Sequence, residues 1–489
     1  MENHLKSDES SVAISKSTTS ENCVLEGIEN LGGMDKFIKE GDRVFIKINL
    51  SLPNGFPVIP NFDIIKVIIN SCKDVGAKKI YVGSFLFKGI SMKNFSELLG
   101  IQEYIKNLGA ELAFLDNSNY FEQKGIKIEQ LRKIKYNNFY KIEVNDKFYL
   151  VPHIIIDSDK FISINQVNVN PIFKINLSLL NCYSNVPVDN QEINTKRLSE
   201  KEDYITKDRY KQELISNILD IYSIKKPNLA INDLFFLLEG AGPYIYRDSN
   251  LKKTNLLIIG DDAVSVDLIT LEMLNIDVNT HDLILGAQNR GLGITDLSKI
   301  KIFGEMDEKL DVKLCVPNLQ DINLINFFIG PGLYCSGCFK QSYHLLNLIK
   351  TNLIKDLKYN PTNSFLLGKN PPEPKNLENI ILFGDCAINS TKNSDFRKIK
   401  KEKSKSIIDD AKDIVSKESN SKKKIKIKVQ RNKKILELPG CPPDIFRCID
   451  LILKYYGKKN VPNLALYNEI VKTWTNGEFK EKLDKWEVL

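Results

Sequence analysis

The sequence predicts an α/β protein. It should have several layers around a largely parallel or mixed sheet, followed by a smaller α/β domain that carries cysteines. Three observations predict this. Apolar, β-branched runs alternate with amphipathic stretches up to about residue 306. The strand–helix–strand spacing over 43–82 demands a crossover, and so a parallel pair. Beyond 307, cysteines recur at the junctions of further strands and helices.

The elements follow in order. Residues 1–20 are rich in Ser, Thr, Lys and Glu and are expected to be a disordered tail. A helical pattern over 24–31 stops at Gly32-Gly33. Residues 43–50 read as a strand. Asn61 can cap a helix over 62–75 that stops at Gly76, and 79–82 is the next strand. A helix over 96–108 closes at Gly109, before a strand over 111–115. The polar stretch 117–147 gives no clear periodicity. Apolar runs at 149–156 and 160–164 read as strands, and 199–224 as mainly helical. Strands over 228–231 and 255–259 lead to a helix over 264–274, and 300–303 is the last strand before the composition changes.

The domains are therefore expected at 21–306 and 307–489, with a basic insertion at about 397–423 in the second. The 42% hydrophobic and 27% charged residues are ordinary for a water-soluble chain. Much of the excess behind the net charge of +7 lies in 397–434, so nucleic acid is not expected as a partner. Lys424 to Val429 alternates like an edge strand with its lysines outward. No apolar run approaches the roughly 20 residues that span a bilayer, and the N-terminus lacks a leader's apolar core. The expected location is the cytoplasm, where grouped cysteines more often bind metal than form disulfides.

In parallel sheets ligands bind beyond the carboxyl ends of the strands. The polar residues expected there are Lys47, Asn49, Ser84, Asn165, Asp233, Asp262 and, on the following loop, Glu239. Each also has a structural reading: Asp262, for instance, can cap the helix that follows it. Glu239-Gly240-Ala241-Gly242-Pro243 could expose backbone N–H groups to an anion, or be a simple turn.

The clearest chemistry lies in the cysteines. Cys335 and Cys338 flank Gly337 in a tight turn, Cys386 sits in Gly384-Asp385-Cys386-Ala387, and Cys441 in Pro439-Gly440-Cys441-Pro442-Pro443. Each group lies at an element boundary, where several loops can converge on one point. Four thiolates suit a closed Cys₄ site, holding zinc or an iron–sulfur cluster. Cys23, Cys72, Cys182, Cys315 and Cys448 read as ordinary buried or local thiols, and His344 as a helix-surface residue.

Two resemblances sharpen these expectations. Residues 24–305 resemble the family called domain of unknown function 362, through Gly41 to Leu50, Asp74 to Ile80, Glu239 to Pro243, Ile259 to Asp267 and Gly291-Leu292-Gly293. That resemblance implies a site with Lys47, Asn49, Glu239, Asp262 and Asp267 as ligand-binding residues. The chain departs from the family at Asn168, Asn170 and Leu180, where cationic and imidazole side chains would stand. Amides cannot carry protons near neutrality. The cysteine loops resemble those around the proximal cluster of nickel–iron hydrogenase small subunits and the related quinone-reductase subunit of respiratory complex I. This implies Cys335, Cys338, Cys386 and Cys441 as ligands of a [4Fe–4S] cluster, with zinc the alternative.

The expected function is then that of a cytosolic iron–sulfur protein, an oxidoreductase or electron-transfer component with a redox partner protein and a small-molecule crevice. The competing reading is a non-catalytic binding or assembly protein clamped by a structural Cys₄ metal.

Overall fold

The computed structural model describes residues 9–50, 57–86, 92–115, 139–187, 203–240, 242, 249–315, 318–322, 324–357, 362–377, 379–398, 434–461, 465 and 468. The chain divides into two compact units. The first includes Asp208–Pro317 and the described residues up to 187, and the second includes Asn318–Ala465.

The first unit is built on an eight-stranded sheet. Its strands are β1 (Ser10–Lys16), β2 (Arg43–Ile48), β3 (Lys79–Gly83), β4 (Glu111–Ala113), β7 (Lys160–Gln166), β10 (Leu229–Asp233), β13 (Leu256–Gly260) and β14 (Ile300–Phe303). They lie in the order β14-β1-β13-β10-β7-β2-β3-β4. Every neighbouring pair is parallel except those involving β13, which runs against both β1 and β10. The reason is the connection. β10 reaches β13 through the hairpin of β11 (Phe236–Glu239) and β12 (Asn250–Lys253), not through a crossover helix. Two further hairpins pair β5 (Phe139–Val144) with β6 (Lys147–Pro152), and β8 (Asn168–Asn170) with β9 (Lys174–Asn176).

Strand alternation gives the sheet two different faces. Val44, Ile46, Ile48, Ile162, Ile164, Leu229, Ile231, Leu257 and Ile259 face one side. There they pack with α1 (Ser20–Asn30), α2 (Phe62–Asp74) and residues of α3 (Met92–Leu99) and α4 (Ile101–Asn107). Lys47, Ser163, Asn165 and Asn232 face the other side, toward α5 (Ser178–Tyr183) and α7 (Ala263–Met273). Between these two helices come α6 (Arg209–Ile224), joined to α5 by side-chain packing, and after them α8 (Asp282–Asn289).

Two expectations need correction here. Residues 10–16 are not a disordered tail: β1 pairs with β13 and β14, with Val12 and Ala13 fully buried. The helix expected over 96–108 is two helices, α3 and α4, separated by Gly100 at φ 67. Of the insertion expected at about 397–423, residues 399–423 lie outside the described residues, as does the alternation at 424–429.

The second unit is a smaller sheet of β15 (Phe327–Pro331), β16 (Asn363–Leu367), β17 (Asn379–Phe383) and β18 (Lys434–Leu438), adjacent in that order and all parallel. Its helices are α9 (Ser336–Leu357), α10 (Asp385–Ser390) and α11 (Ile445–Tyr456), the last capped by Asp444. No helix among the described residues is long and apolar enough to cross a membrane.

Candidate functional site

The register of the second sheet aligns its strand ends. Pro331, Leu367, Phe383 and Leu438 stand side by side in one row across β15 to β18. All four strands run the same way, so the loops that follow them leave from the same edge. Cys335 comes four residues after Pro331, Cys386 three after Phe383, and Cys441 three after Leu438. Cys335 and Cys338 are buried, while Cys386 and Cys441 are half-buried. All nine cysteines are free thiols.

The electrostatics show that the four sulfurs share one neighbourhood. The Cys338 thiol is pushed well above its usual range, first by its hydrogen bond with Cys335. Burial and the charges of Cys335, Cys386 and Cys441 act in the same direction. Cys386 is raised by burial, then by Cys335 and Asp385, against a lowering influence of Lys369. Each of these two thiols is thus held in its neutral form more firmly than a free cysteine, as burial and neighbouring thiolate charge both oppose ionisation. Two glycines allow the loops to close. Gly384 (φ 86) would place a Cβ 3.4 Å from Cys338 Sγ, and Gly440 (φ 137) would place one 2.7 Å from Pro443 Cα. The donor set and its convergence fit a Cys₄ centre. As the side chains stand, no group of three or more His, Cys, Asp or Glu among the described residues could hold a metal ion. His344 is half-buried beside Tyr343 rather than on an open helix surface, and burial pulls its imidazole down to about 3.

A second cluster lies in the first unit. Lys47 is fully buried without a carboxylate among its hydrogen-bond partners. Its Nζ donates to Ile48 O (2.7 Å), Asn181 Oδ1 (3.0 Å) and Ser84 Oγ (3.1 Å). Asn181 Nδ2 continues to Ser163 Oγ at 2.9 Å. Asn49 Nδ2 donates to Asn165 Oδ1, whose own Nδ2 reaches Asn232 Oδ1 at 3.1 Å. Asn232 in turn donates to Asp267 Oδ1 at 2.9 Å. The Asp267 carboxylate also accepts from Ser178 N (2.8 Å) and Leu179 N (2.9 Å), which caps α5 from outside the helix. Lys47 and Asp267 therefore grip the same short helix, through Asn181 and Ser178.

Burial pulls Lys47 down to about 7 and pushes both Asp267 and Asp233 up to about 7. The consequences have opposite signs. Between about 7 and the usual lysine value of about 10.4, the unfolded chain holds a Lys47 proton that the folded chain has released, so stability rises with pH. Between about 3.9 and about 7 the folded chain keeps aspartate protons that the unfolded chain has lost, so stability falls with pH. Lys47→Met removes only the first effect. Its stability relative to the parent, from urea unfolding, should fall by about 1 kcal/mol per pH unit between about pH 7 and 10. A pH-independent difference would contradict a neutral Lys47 in the fold.

The remaining expected site residues lie elsewhere. Because β13 is antiparallel, its carboxyl end is at the amino edge of β10, with Gly260 opposite Ala230. Lys47, Ser163, Ala230 and Gly260 stand in one row of the sheet, so Asp262, two residues beyond Gly260 on the opposite heading, is separated from Lys47 by three strand spacings, roughly 14 Å across the sheet. It is the N-cap of α7, accepting from Ser265 N at 2.9 Å. Glu239 accepts from Lys313 N at 3.0 Å and from Asn250 Nδ2, which hold its carboxylate below the usual range. The Gly240 N–H, in the loop read as either an anion cradle or a simple turn, donates to Lys313 O. Ala241 and 243–248 lie outside the described residues. The residues expected to form one crevice are therefore not assembled into one: Lys47, Asn49 and their amide partners form a hydrogen-bonded layer against the sheet, and Asp267 caps α5.

At the family-divergent positions, Asn170 closes the β8–β9 turn by accepting from Ile172 N and Phe173 N. Asn168 donates to Gln166 O, and Leu180 is half-buried on α5. Sequence reading missed Asn181, Ser163 and Asn232 as members of the polar layer. The available signal was Ser163 and Asn165 at alternate positions of an otherwise apolar strand.

Comparison with curated proteins finds no match. Among solved structures, a crystal structure of a Thermotoga maritima protein is similar at 12% identity and a TM-score of 0.27. The similarity covers 49% of this chain and 56% of that one, so the chain spans little more than half of that protein's length. Residues 44–272, the span that contains Lys47, Asn49, Glu239, Asp262 and Asp267, match the model of the family described as Domain of unknown function (DUF362).

Proposed function

We propose that this is a cytoplasmic iron–sulfur protein. Cys335, Cys338, Cys386 and Cys441 hold one [4Fe–4S] cluster at the carboxyl edge of the second sheet, and the DUF362-type region carries the hydrogen-bonded layer around Lys47 and Asn49. The observation that carries this reading is the alignment of β15, β17 and β18, which sends three cysteine-bearing loops off one sheet edge. When bound, such a cluster supplies one-electron transfer. The chain's own part is to provide four thiolates, bury two of them, and present the other two half-exposed toward a redox partner protein. Free thiols throughout suit a reducing compartment.

Anaerobic purification followed by visible spectroscopy and metal analysis tests this reading. A brown protein with broad absorption that bleaches with dithionite is expected, together with about four iron atoms and four sulfides per chain. Colourless protein holding zinc and no iron would instead establish a structural Cys₄ clamp and end the redox reading.

A further inference from the structure

We propose that Asp385 is the positioning residue of the cysteine cluster, holding the Cys441 loop against the Cys386 loop. The inference rests on the Cys₄ reading for its purpose, though its geometry stands without a metal. The three loops are not held alike. Cys338 lies within α9, and Cys335 immediately precedes it. Cys386 lies in the first turn of α10. Cys441 belongs to no helix or strand: it falls between β18 and α11, behind a glycine at φ 137.

The residue just before it, Gly440, is gripped at both its N–H and its C=O by one residue. Asp385 Oδ1 accepts from Gly440 N at 2.9 Å, and Asp385 N donates to Gly440 O at 3.1 Å. Gly384 N also donates to Leu438 O at 2.8 Å, which continues the β17–β18 ladder one step further. The loop of β15 is tied to the loop of β16 by a comparable pair, Leu333 N to Lys369 O (2.9 Å) and Lys369 N to Leu333 O (2.7 Å). That second tie uses backbone alone, whereas the tie at Cys441 adds one side chain, Asp385, to its backbone bonds. Gly384 lies against Cys338 Sγ, which links the two pairs of loops into one frame.

The test is alkylation of the metal-free protein with iodoacetamide, read residue by residue by mass spectrometry, for the parent, Asp385→Ala and Asp385→Asn. Asp385→Asn keeps the Oδ1 acceptor and removes the charge, so it separates position from electrostatics. Loss of the acceptor leaves the Gly440 N–H without its partner. Cys441 should then react about tenfold faster in Asp385→Ala than in Asp385→Asn. Cys448, buried in α11, gauges global opening and should not change. Equal Cys441 rates in the two variants, or a rise shared by Cys448, would overturn the assignment. Because the readout needs no metal, its outcome is independent of whether the parent protein binds iron.

Discussion

Asp220→Ala is expected to destabilise the protein by about 3–5 kcal/mol, the usual cost of leaving a buried ionic network without one partner. Asp220 lies on α6 and is fully buried. Its carboxylate accepts from Arg290 Nη1 at 2.7 Å, Asn145 Nδ2 at 2.7 Å and the Tyr149 hydroxyl at 2.8 Å, with Lys147 Nζ at 3.9 Å. Tyr149 is also fully buried. Its desolvation and its bond to Asp220 push the phenol upward, so it stays a donor at every physiological pH. Arg290 is partly exposed and can recover water, which discounts its share of the loss. Asn145 is exposed and can do the same, but Tyr149 cannot, and of its polar ties to α6 the β5–β6 hairpin would keep those to Ser216 and Asn217. Urea unfolding reads the effect as a lower midpoint at unchanged slope. A change below about 1 kcal/mol would mean that the hairpin is held by other contacts.

That hairpin also shows where sequence reading stopped. The stretch 117–147 looked featureless, yet Asn145-Asp146 sits between Val144 and Lys147 with both φ values positive. This is the two-residue turn that right-twisted antiparallel strands prefer, and Asn and Asp are residues that tolerate it. The signal was present but masked by the polar, half-exposed pattern of β5. β1 was lost for a different reason. Ser10, Ser11 and Ser15 make its composition resemble a tail, and its partners β13 and β14 are far along the chain, so no local pattern announces the pairing. The antiparallel β13 escaped because alternating strand and helix signals suggest parallel pairing. The missing helix between β10 and β13 was the clue that their connection turns back. Asp262 was consequently assigned to the wrong edge of the sheet. The loops of Cys386 and Cys441 were legible because each follows a short, mainly apolar strand, and a parallel sheet needs only strand direction to bring such loops together; β15, before Cys335, was not read as a strand.

Loss of the proposed metal centre on removal of one cysteine is the other large expected effect. A four-thiolate site has no spare donor. The nearest cysteine along the chain from Cys441 is Cys448, which is buried on α11, and burial pushes its thiol up to about 12. It cannot supply a thiolate near neutral pH, and its helix fixes it away from the loop edge. Substitution at Cys441 should therefore not be rescued from within the chain, whereas substitution at Cys448 should leave the centre intact with at most a packing cost of about 1–2 kcal/mol.

Iron bound per chain after anaerobic reconstitution, compared between Cys441→Ser and Cys448→Ser, measures this most directly. Retention of about four iron atoms by Cys448→Ser, with three or fewer in Cys441→Ser, is the predicted result for a cluster held jointly by the three loops. Equal iron in the two variants, or none in the parent protein, would contradict it.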